Sequence, residues 1–581
     1  MSARCPIEFR WHKKVFLSKV MNSQKIAVNI SGKEADKLFN FRPVFFTAIF
    51  LCFGIMFAYA CRFYQLSAWW SVCLLPIFIT AIFLQKGGKN RKLALLATSV
   101  LAAAFAIGGL VFNSALDTFA NCKEYNGEYV VTGTVVEKSE YGHIYRVILQ
   151  DVYIDENYEK GKLVAYLPTS FCENVAISDE ILFQGYVETD VEYFNEYGFR
   201  EYEIGNKIQF ITEDAENCFI TGKSDNLFLR IRARVETVLF SSMDETSASV
   251  TLAVLTGDTS LIERELLDNI RMGGIAHIFA VSGLHMGALY AFCLWLTEKT
   301  RLNRIPKPIR FVFMFALLYF YAGVCGFSSS VMRAMALCLV GYAAKLIGTE
   351  RDFLQSTGVA AMLILFVKPT ELFAVGFQLS FAACMGIALF ARPLRLAMER
   401  CAIVIKQKFI EIFRLNERAR PNPEEKKEEF LTLRNKIQTA VITFVSVSLA
   451  AQIATALLLL SAYEYLSVWG LLLNGIFVPF ISVVFSILLL FVLLSCICMP
   501  IAPIFLYLPS VVWNGVLLLF EAIDFSKFVI SGIQITIGSM LCYYGGWIFL
   551  TDKWNMPKAF KWGLALLCFI SFGITMYALN V

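Results

Sequence analysis

Apolar segments of about 18 residues or more recur along almost the whole chain, and they constrain its fold more than any other feature of the sequence. A segment of that length is what an α-helix needs to cross the hydrocarbon core of a bilayer. Of the 581 residues, 57% are hydrophobic and only 17% are charged. The sequence therefore predicts a polytopic α-helical membrane protein.

The first 112 residues predict a cytoplasmic segment followed by three transmembrane helices. Residues 1–42 are polar, rich in Lys and Arg, and show no signal-peptide pattern, so they are predicted to stay in the cytoplasm. Three apolar segments follow within 43–112, at about 43–60, 67–84 and 93–112. The loop at 85–92 is short and basic and is also predicted to be cytoplasmic, which places residue 113 on the outer side.

Residues 113–226 have a different composition, with many polar and acidic residues, and predict a small all-β domain. Five short β-branched segments, at 128–137, 143–152, 162–168, 181–188 and 208–212, are separated by turn residues. Five strands in fewer than 100 residues suit a closed barrel, so we expect one OB-like extracytoplasmic domain. Such barrels often bind single-stranded nucleic acid through a basic, aromatic face. Because this segment is not basic overall, a purely structural role is an equal alternative.

Three cysteines lie in this domain, at Cys122, Cys172 and Cys218. Disulfides persist on the outer side of a membrane, so a bridge between two of them is compatible with the predicted location. The sequence leaves the pairing open.

Residues 227–272 are predicted to lead the chain back to the membrane through an amphipathic helix that lies in the interface. This helix carries Arg230, Arg232 and Arg234 among apolar residues. These side chains are candidates for outer-surface contacts, either with DNA or, as the composition favours, with lipid headgroups. Asp258, after the helix, either caps the next helix, which the sequence favours, or faces the extracellular mouth.

The stretch from 275 to 287 is the most unusual apolar segment of the chain. It contains His277, Ser282, Gly283 and His285. If it is helical, the two imidazoles lie on much the same face with the serine beside them. Polar side chains within a membrane face a hydrated path or a neighbouring helix, and small residues allow close packing, so both roles stay open. A Ser–His hydrolase is a weaker hypothesis, because no acid or nucleophile elbow is present.

Isolated polar side chains also interrupt the later apolar segments. Residues 273–391 and 438–581 are predicted as the two halves of the transmembrane core, and 392–437 as a cytoplasmic basic loop with an amphipathic helix on each side of its prolines. A broken helix plus a span are expected over 466–509, where Gly and Pro interrupt the apolar sequence. The polar candidates for the path or for contacts between helices are Arg333, Gln378, Ser380, Gln452 and Asn474. Arg333 also suits pairing with phosphate.

The sequence predicts no catalytic residue, metal site or cofactor. Four histidines in the whole chain, and no Cys/His cluster with the spacing of metal ligands, leave little material for a metal-dependent site.

Several spaced motifs together resemble the ComEC competence family, the inner-membrane channel proteins of natural transformation. The resemblance spans about residues 40–550. It rests on Gly257-Asp258, the stretch 277–287, Ser330 to Ala334 and Gly376 to Phe381, with looser matches at Gln452 to Thr455 and Asn474 to Pro479. In the outer domain, Phe194 to Tyr202 is similar to the motif that closes that family's OB-like domain.

The resemblance implies a channel that passes single-stranded DNA through the cytoplasmic membrane. It also implies a multi-pass protein in contact with membrane lipid, a separate DNA receptor outside, and DNA-handling proteins in the cytoplasm. Many family members end in a metallo-β-lactamase-like domain. Because no histidine follows His285, we expect no nuclease domain in this chain. The oligomeric state stays open, and a secondary transporter of a small polar solute is the main alternative function.

Overall fold

A computed structural model describes residues 42–65, 91–141, 144–172, 174–192, 194–195, 198–279, 283–300, 304–348, 352–414, 425–550 and 557–580. Within these ranges, nine helices are long and apolar enough to cross a membrane. The fold is therefore that of a multi-pass helical membrane protein with a separate β domain. The predicted cytoplasmic segment up to residue 41 and the predicted span at 67–84 lie outside the described residues.

Helices make up most of the described chain. Before and beside the β domain they are α1 Pro43–Phe63, α2 Arg91–Ala120, α3 Thr169–Cys172 and α4 Glu201–Asn206. Up to the middle of the core they are α5 Leu227–Phe240, α6 Glu245–Thr256, α7 Arg264–Met272, α8 Ala276–Phe279, α9 Gly283–Lys299, α10 Lys307–Val324, α11 Ser329–Ile347 and α12 Phe353–Val367. The remainder are α13 Val375–Arg414, α14 Glu425–Tyr463, α15 Trp469–Ile497, α16 Ala502–Ala522, α17 Ile537–Leu550 and α18 Lys558–Asn580, with 3₁₀ turns at Pro369–Leu372, Met499–Ile501 and Phe525–Phe528.

All five predicted strands are present, and they close into a barrel. The strands are β1 Asn126–Tyr141, β2 Ile144–Ile154, β3 Asn157–Glu159, β4 Lys162–Pro168, β5 Asp179–Thr189, β6 Phe194–Asn195, β7 Gly198–Phe199 and β8 Ile208–Lys223. The sheet order β1-β5-β8-β4-β2 is closed by pairing of β2 with β1. Only β4 and β8 pair in parallel in this sheet, within the described residues. Closure removes the exposed strand edges, and inward-facing Val, Ile, Leu and Phe fill the interior.

The barrel is attached to the membrane helices by an aromatic cluster. Phe199, in the short β6–β7 hairpin, packs against Tyr59 of α1 and Phe112 of α2, with ring centroids 5.4 Å and 6.1 Å away. Its ring also lies 5.2 Å from Phe373, just after the 3₁₀ turn that follows α12. A buried hydrogen bond of 2.7 Å from Gln209 of β8 to the Phe119 carbonyl adds a polar contact. The ends of α1, α2 and α12 therefore meet on the barrel side.

Two ion pairs join helix ends away from the barrel, one between α1 and α12 and one between α9 and α11. Arg42 Nε lies 2.6 Å from Asp352 Oδ2, which links the start of α1 to the start of α12. Lys345, near the end of α11, pairs with Glu298, near the end of α9. The helices α1 and α12 therefore run in the same direction, from the ion-paired side to the barrel side.

Residues 392–437, predicted as a basic loop with an amphipathic helix on each side of its prolines, are largely helical where the structure describes them. The helix α13 runs 40 residues to Arg414, α14 begins at Glu425, and the two helices pack against each other. The expected loop shrinks to a connection at 415–424, which lies outside the described residues. Charged residues do not end a helix by themselves, because Lys, Arg and Glu are good helix formers.

The interruption expected within 466–509 lies near the end of that range, beside Pro500, and not at Pro479. A single helix, α15, runs 29 residues from Trp469 to Ile497 with Pro479 inside it, and the chain breaks at Cys498. Before α15, the short strand β9 Tyr465–Ser467 pairs antiparallel with β10 Val529–Ser531. Neighbouring helices and local adjustments can compensate the backbone bond that a proline removes inside a membrane helix, so Pro479 does not have to end α15.

Candidate functional site

The two histidines of the central stretch lie in very different surroundings. His285, in α9, is fully buried, and its ring packs edge-on against Phe485 of α15 with centroids 4.8 Å apart. His277, in α8, is exposed. The three residues between α8 and α9, including Ser282, lie outside the described residues. His285 is therefore part of the contact between α9 and α15, whereas His277 is accessible.

The start of α9 packs closely on the start of α11. A Cβ atom added to Gly283 would lie 3.9 Å from the Cβ of Ala334. The residue before Ala334 is the buried Arg333. Two motifs far apart in sequence thus meet at this point of the core, as the small residues predicted.

Arg333 forms a buried ion pair across the core. Its Nη1 lies 3.8 Å from Glu371 Oε2, and the two side chains are only 5% and 10% exposed. Glu371 sits in the 3₁₀ turn Pro369–Leu372 between two apolar helices. Glu371 is not among the residues predicted from the sequence; the signal for it is a lone acid between two apolar segments. Arg333 also lies beside Gly376, since a Cβ added there would be 3.6 Å from its Nη2.

Gln378 stabilises the same turn from the start of α13. Its Nε2 donates to the carbonyl oxygens of Leu372 and Phe373, at 3.2 Å and 3.3 Å. Ser380, two residues later, is half-buried. Arg333, Glu371 and Gln378 thus converge on the 3₁₀ turn, which leads directly to Phe373 in the aromatic cluster under the barrel.

A second cluster of polar side chains lies where α8 and α15 begin. Gly274 has φ = +73°, and a Cβ there would lie 2.9 Å from the Gly470 Cα atom, so only glycine fits. A Cβ on Gly470 would lie 3.6 Å from Gln452 Nε2. Asn474 is one helical turn further along α15 and half-buried. Its Oδ1 is shielded from solvent and accepts no hydrogen bond from the described residues.

The three arginines of α5 do not form one surface. Arg230 and Arg234 are exposed, in agreement with the amphipathic pattern. Arg232 instead forms a buried pair with Asp258: Nη2 lies 2.5 Å from Oδ2, with side chains 11% and 6% exposed. The prediction that Arg232 forms an outer-surface contact is therefore wrong, because its guanidinium points to the core side of the helix and is neutralised there.

Asp258 also differs from its prediction as a helix cap. The helix α7 has Glu263 as its N-cap residue, and Asp258 Oδ1 accepts bonds from the amide and the hydroxyl of Ser260. Its carboxylate orders a turn and holds Arg232. Next to this pair, burial and the Asp258 charge raise the pKa of Glu236, against the opposing effects of Arg232 and Lys138.

The disulfide considered for the barrel is not formed. Cys122, Cys172 and Cys218 are free thiols that pack on the barrel core. Burial raises the pKa of Cys172 to about 11, so its thiol is protonated and behaves as a small apolar side chain. Each of the three lies on a different element, which explains why sequence alone could not decide the question.

The fold and these buried polar contacts define a class: a multi-pass membrane protein with a small β barrel on the ends of its helices. The family described as Competence protein matches residues 254–557, which is just over half of the chain. The chain belongs to this family. The matched region contains the end of α6 and all of α7 through α17, and so includes both polar groups described above.

Two relatives match at lower coverage. The chain is 26% identical over 196 residues to "ComE operon protein 3" of Bacillus subtilis, which covers 34% of this chain and 24% of that protein. It is 28% identical over 139 residues to "Uncharacterized protein MG316 homolog" of Mycoplasma pneumoniae, which covers 22% of this chain and 34% of that protein. The matched segments thus span about a quarter and a third of these relatives.

Proposed function

We propose that this protein is the channel through which single-stranded DNA crosses the cytoplasmic membrane during natural transformation. The observation that carries the proposal is membership of the Competence family over the region that holds the buried polar side chains. The name of the Bacillus subtilis relative, "ComE operon protein 3", is in agreement with a competence role. The polypeptide itself acts as a transport protein and not as an enzyme.

In this proposal the barrel faces outward and the N-terminus is cytoplasmic. Support comes from charge, because residues 298–310 carry five Lys and Arg against one acid, and residues 392–437 carry twelve Lys and Arg against seven acids. An outward barrel would meet incoming DNA or its carrier first. A separate DNA receptor outside and a DNA-handling protein inside are the proposed partners.

The path is proposed to follow α8, α9, α11, α14 and α15. The accessible His277 and the shielded carbonyl oxygen of Asn474 supply polar groups for it. Arg333 and His285 act as positioning residues, because a buried ion pair and an edge-on ring contact fix the helices that would surround the strand. DNA phosphates need a hydrated, positive environment, to which Arg333 contributes only if the pair with Glu371 opens.

A substitution series at the two histidines tests this assignment. His285→Phe keeps a ring against Phe485 but removes the imidazole nitrogens, whereas His285→Ala removes both. If His285 positions helices, uptake of labelled DNA into the cytoplasm should survive in His285→Phe and fall sharply in His285→Ala. His277→Ala should lower uptake without lowering the amount of protein in the membrane.

The control is Gly287→Ala in the same helix α9, since a Cβ at Gly287 meets no atom within 4 Å. Loss of uptake in this control, or normal uptake in both His285→Ala and His277→Ala, would contradict the assignment. Normal cytoplasmic uptake after deletion of the whole chain would instead favour the transporter alternative.

A further inference from the structure

The charge of this protein is divided very unevenly between its two parts. Residues 122–226 contain 21 Asp and Glu against 8 Lys and Arg, a formal net charge of −13, although the whole chain carries +5. The barrel is therefore strongly acidic, and the rest of the chain is basic. A charge of this size on a small domain dominates what can approach it at moderate ionic strength.

Part of that charge lies on one exposed face of the barrel, formed by the neighbouring strands β1, β5 and β8. The carboxylates of this acidic face are all exposed, and within the described residues no Lys or Arg forms an ion pair with any of them. They are Glu128, Glu188, Glu213, Asp214 and Glu216. Their mutual repulsion is not compensated inside the barrel. Such repulsion is unfavourable on a surface whose role is purely structural.

Large apolar side chains lie among these carboxylates. Val130, Tyr186 and Phe219 are 42%, 47% and 61% exposed. In the strand register, Tyr186 stands opposite Glu128. Exposed aromatic residues surrounded by polar and charged side chains are typical of protein interfaces, where the rings supply the contact area and the charges supply specificity.

The acidic face is separate from the attachment of the barrel to the membrane. That attachment uses Phe194 and Phe199 of the β6–β7 hairpin and Gln209 at the start of β8. The acidic face uses the outward residues of β1 and β5 and the later part of β8. It is therefore accessible in the chain as folded.

We propose that the acidic face is a docking surface for a basic protein domain. Its charge excludes the other occupants that an outward barrel would meet. Nucleic acid binds through neutralisation of its phosphates by Lys and Arg, and this face presents carboxylates instead. Anionic lipid headgroups are repelled for the same reason. A partner with a Lys- and Arg-rich surface and an apolar centre complements the face in both charge and shape. This proposal rests on the outward orientation of the barrel proposed above, but not on the channel assignment.

The test uses the full-length protein in living cells. A photo-crosslinking benzoylphenylalanine replaces Tyr186 on the acidic face, and in a control strain it replaces Tyr158, which is 54% exposed on β3 away from that face. Each strain is irradiated, and the crosslinked product is identified by mass spectrometry. We expect a protein product from the Tyr186 position, with a basic region at the crosslinked site, that is absent from the Tyr158 position.

Charge-reversal variants then decide whether the contact depends on the carboxylates. Glu188→Lys with Glu216→Lys should reduce the yield of that product roughly tenfold or more, because attraction at two positions becomes repulsion. Asp151→Lys with Asp225→Lys makes the same change of charge at two exposed positions outside the acidic face and should leave the yield within about twofold. The double variant Glu188→Gln with Glu216→Gln perturbs folding less and should give an intermediate yield of the crosslinked product.

Three results would overturn the proposal. They are the absence of a protein product at Tyr186, equal yields in the two lysine double variants, and crosslinking of Tyr186 to a labelled 30-nucleotide single strand supplied to the cells. Immunoblots of the membrane fraction show whether each variant accumulates normally. If the Lys variant does not accumulate, the Gln variant decides: an unchanged yield there also overturns the proposal.

Discussion

Removal of either member of the Arg333–Glu371 pair should destabilise the protein far more than removal of both. The two charges are 3.8 Å apart, so their attraction is about 4 kcal/mol at an effective dielectric constant of about 20. Desolvation of two charges that are 90% or more buried offsets that attraction, so the net contribution of the pair is small. A single substitution, however, leaves the other charge buried without its ion-pair partner and costs about 3–5 kcal/mol.

The experiment compares Arg333→Met, Glu371→Leu and the double variant. Each protein is purified in nanodiscs, and thermal unfolding is followed by intrinsic fluorescence. We expect each single variant to lower Tm by roughly 5–10 °C and the double variant to lie close to the parent protein. Two single effects that simply add in the double variant would refute the argument, because they would show that the two residues act independently.

DNA uptake by the same three variants separates structure from transport. If Arg333 only positions helices, the stable double variant should regain uptake. If its charge contacts the passing strand, the double variant should be stable and still inactive. Gln378→Leu provides a control at the same 3₁₀ turn, since it removes two hydrogen bonds to carbonyl oxygens without leaving a buried charge.

Three further perturbations follow from the structure. Gly274→Ala should destabilise the protein by more than about 1 kcal/mol, because the positive φ of Gly274 and the nearby backbone leave no room for a methyl group. Gly287→Ala should be neutral or should stabilise the protein by about 0.5–1 kcal/mol. The Tm of each variant in nanodiscs measures both effects. Phe199→Ala should loosen the barrel from the helices at a cost of about 2–4 kcal/mol and speed hydrogen exchange in β6–β8, while the exposed Phe219→Ala should not. Burial raises the pKa of Asp244, but hydrogen bonds from α16 and from the start of α6 lower it by more, so the pKa lies below 3.8. The stability that the Asp244 carboxylate contributes is therefore lost as the pH falls through its folded-state pKa. Asp244→Ala should lower the free energy of unfolding by about 1 kcal/mol at neutral pH and reduce the fall of Tm at acid pH in a series of Tm against pH.

The local features of this fold could be predicted from sequence because they depend on local patterns. The apolar segments that became α1, α10 and α11 and the alternating strands of the barrel are all properties of a few neighbouring residues. The position of the break after α15 could not be predicted. Pro479 and Pro500 both stand in apolar sequence, and only the packing of the surrounding helices decides that α15 continues through Pro479 and ends before Pro500.

The polar contacts of the core were predictable as residue types but not as partners. Arg333 could be selected from the sequence because a cation in an apolar helix needs a polar partner or a hydrated path. Its partner Glu371, however, lies 38 residues away on another element. Arg232 was assigned to the surface because it is flanked by Arg230 and Arg234, and helical geometry turns it inward to Asp258. Pairings of this kind depend on tertiary structure, which a single sequence does not display.

The most direct test of the central claim follows labelled DNA in competent cells that lack this chain and in the same cells carrying it again. The 5′ and 3′ strands are labelled with different dyes, and external nuclease removes DNA that has not entered. The account predicts that DNA still collects at the surface of the deletion strain, that no label becomes nuclease-resistant in the cytoplasm, and that the restored chain returns one strand there. Nuclease-resistant cytoplasmic label in the deletion strain, at the level of the restored strain, would contradict the claim that this chain forms the channel.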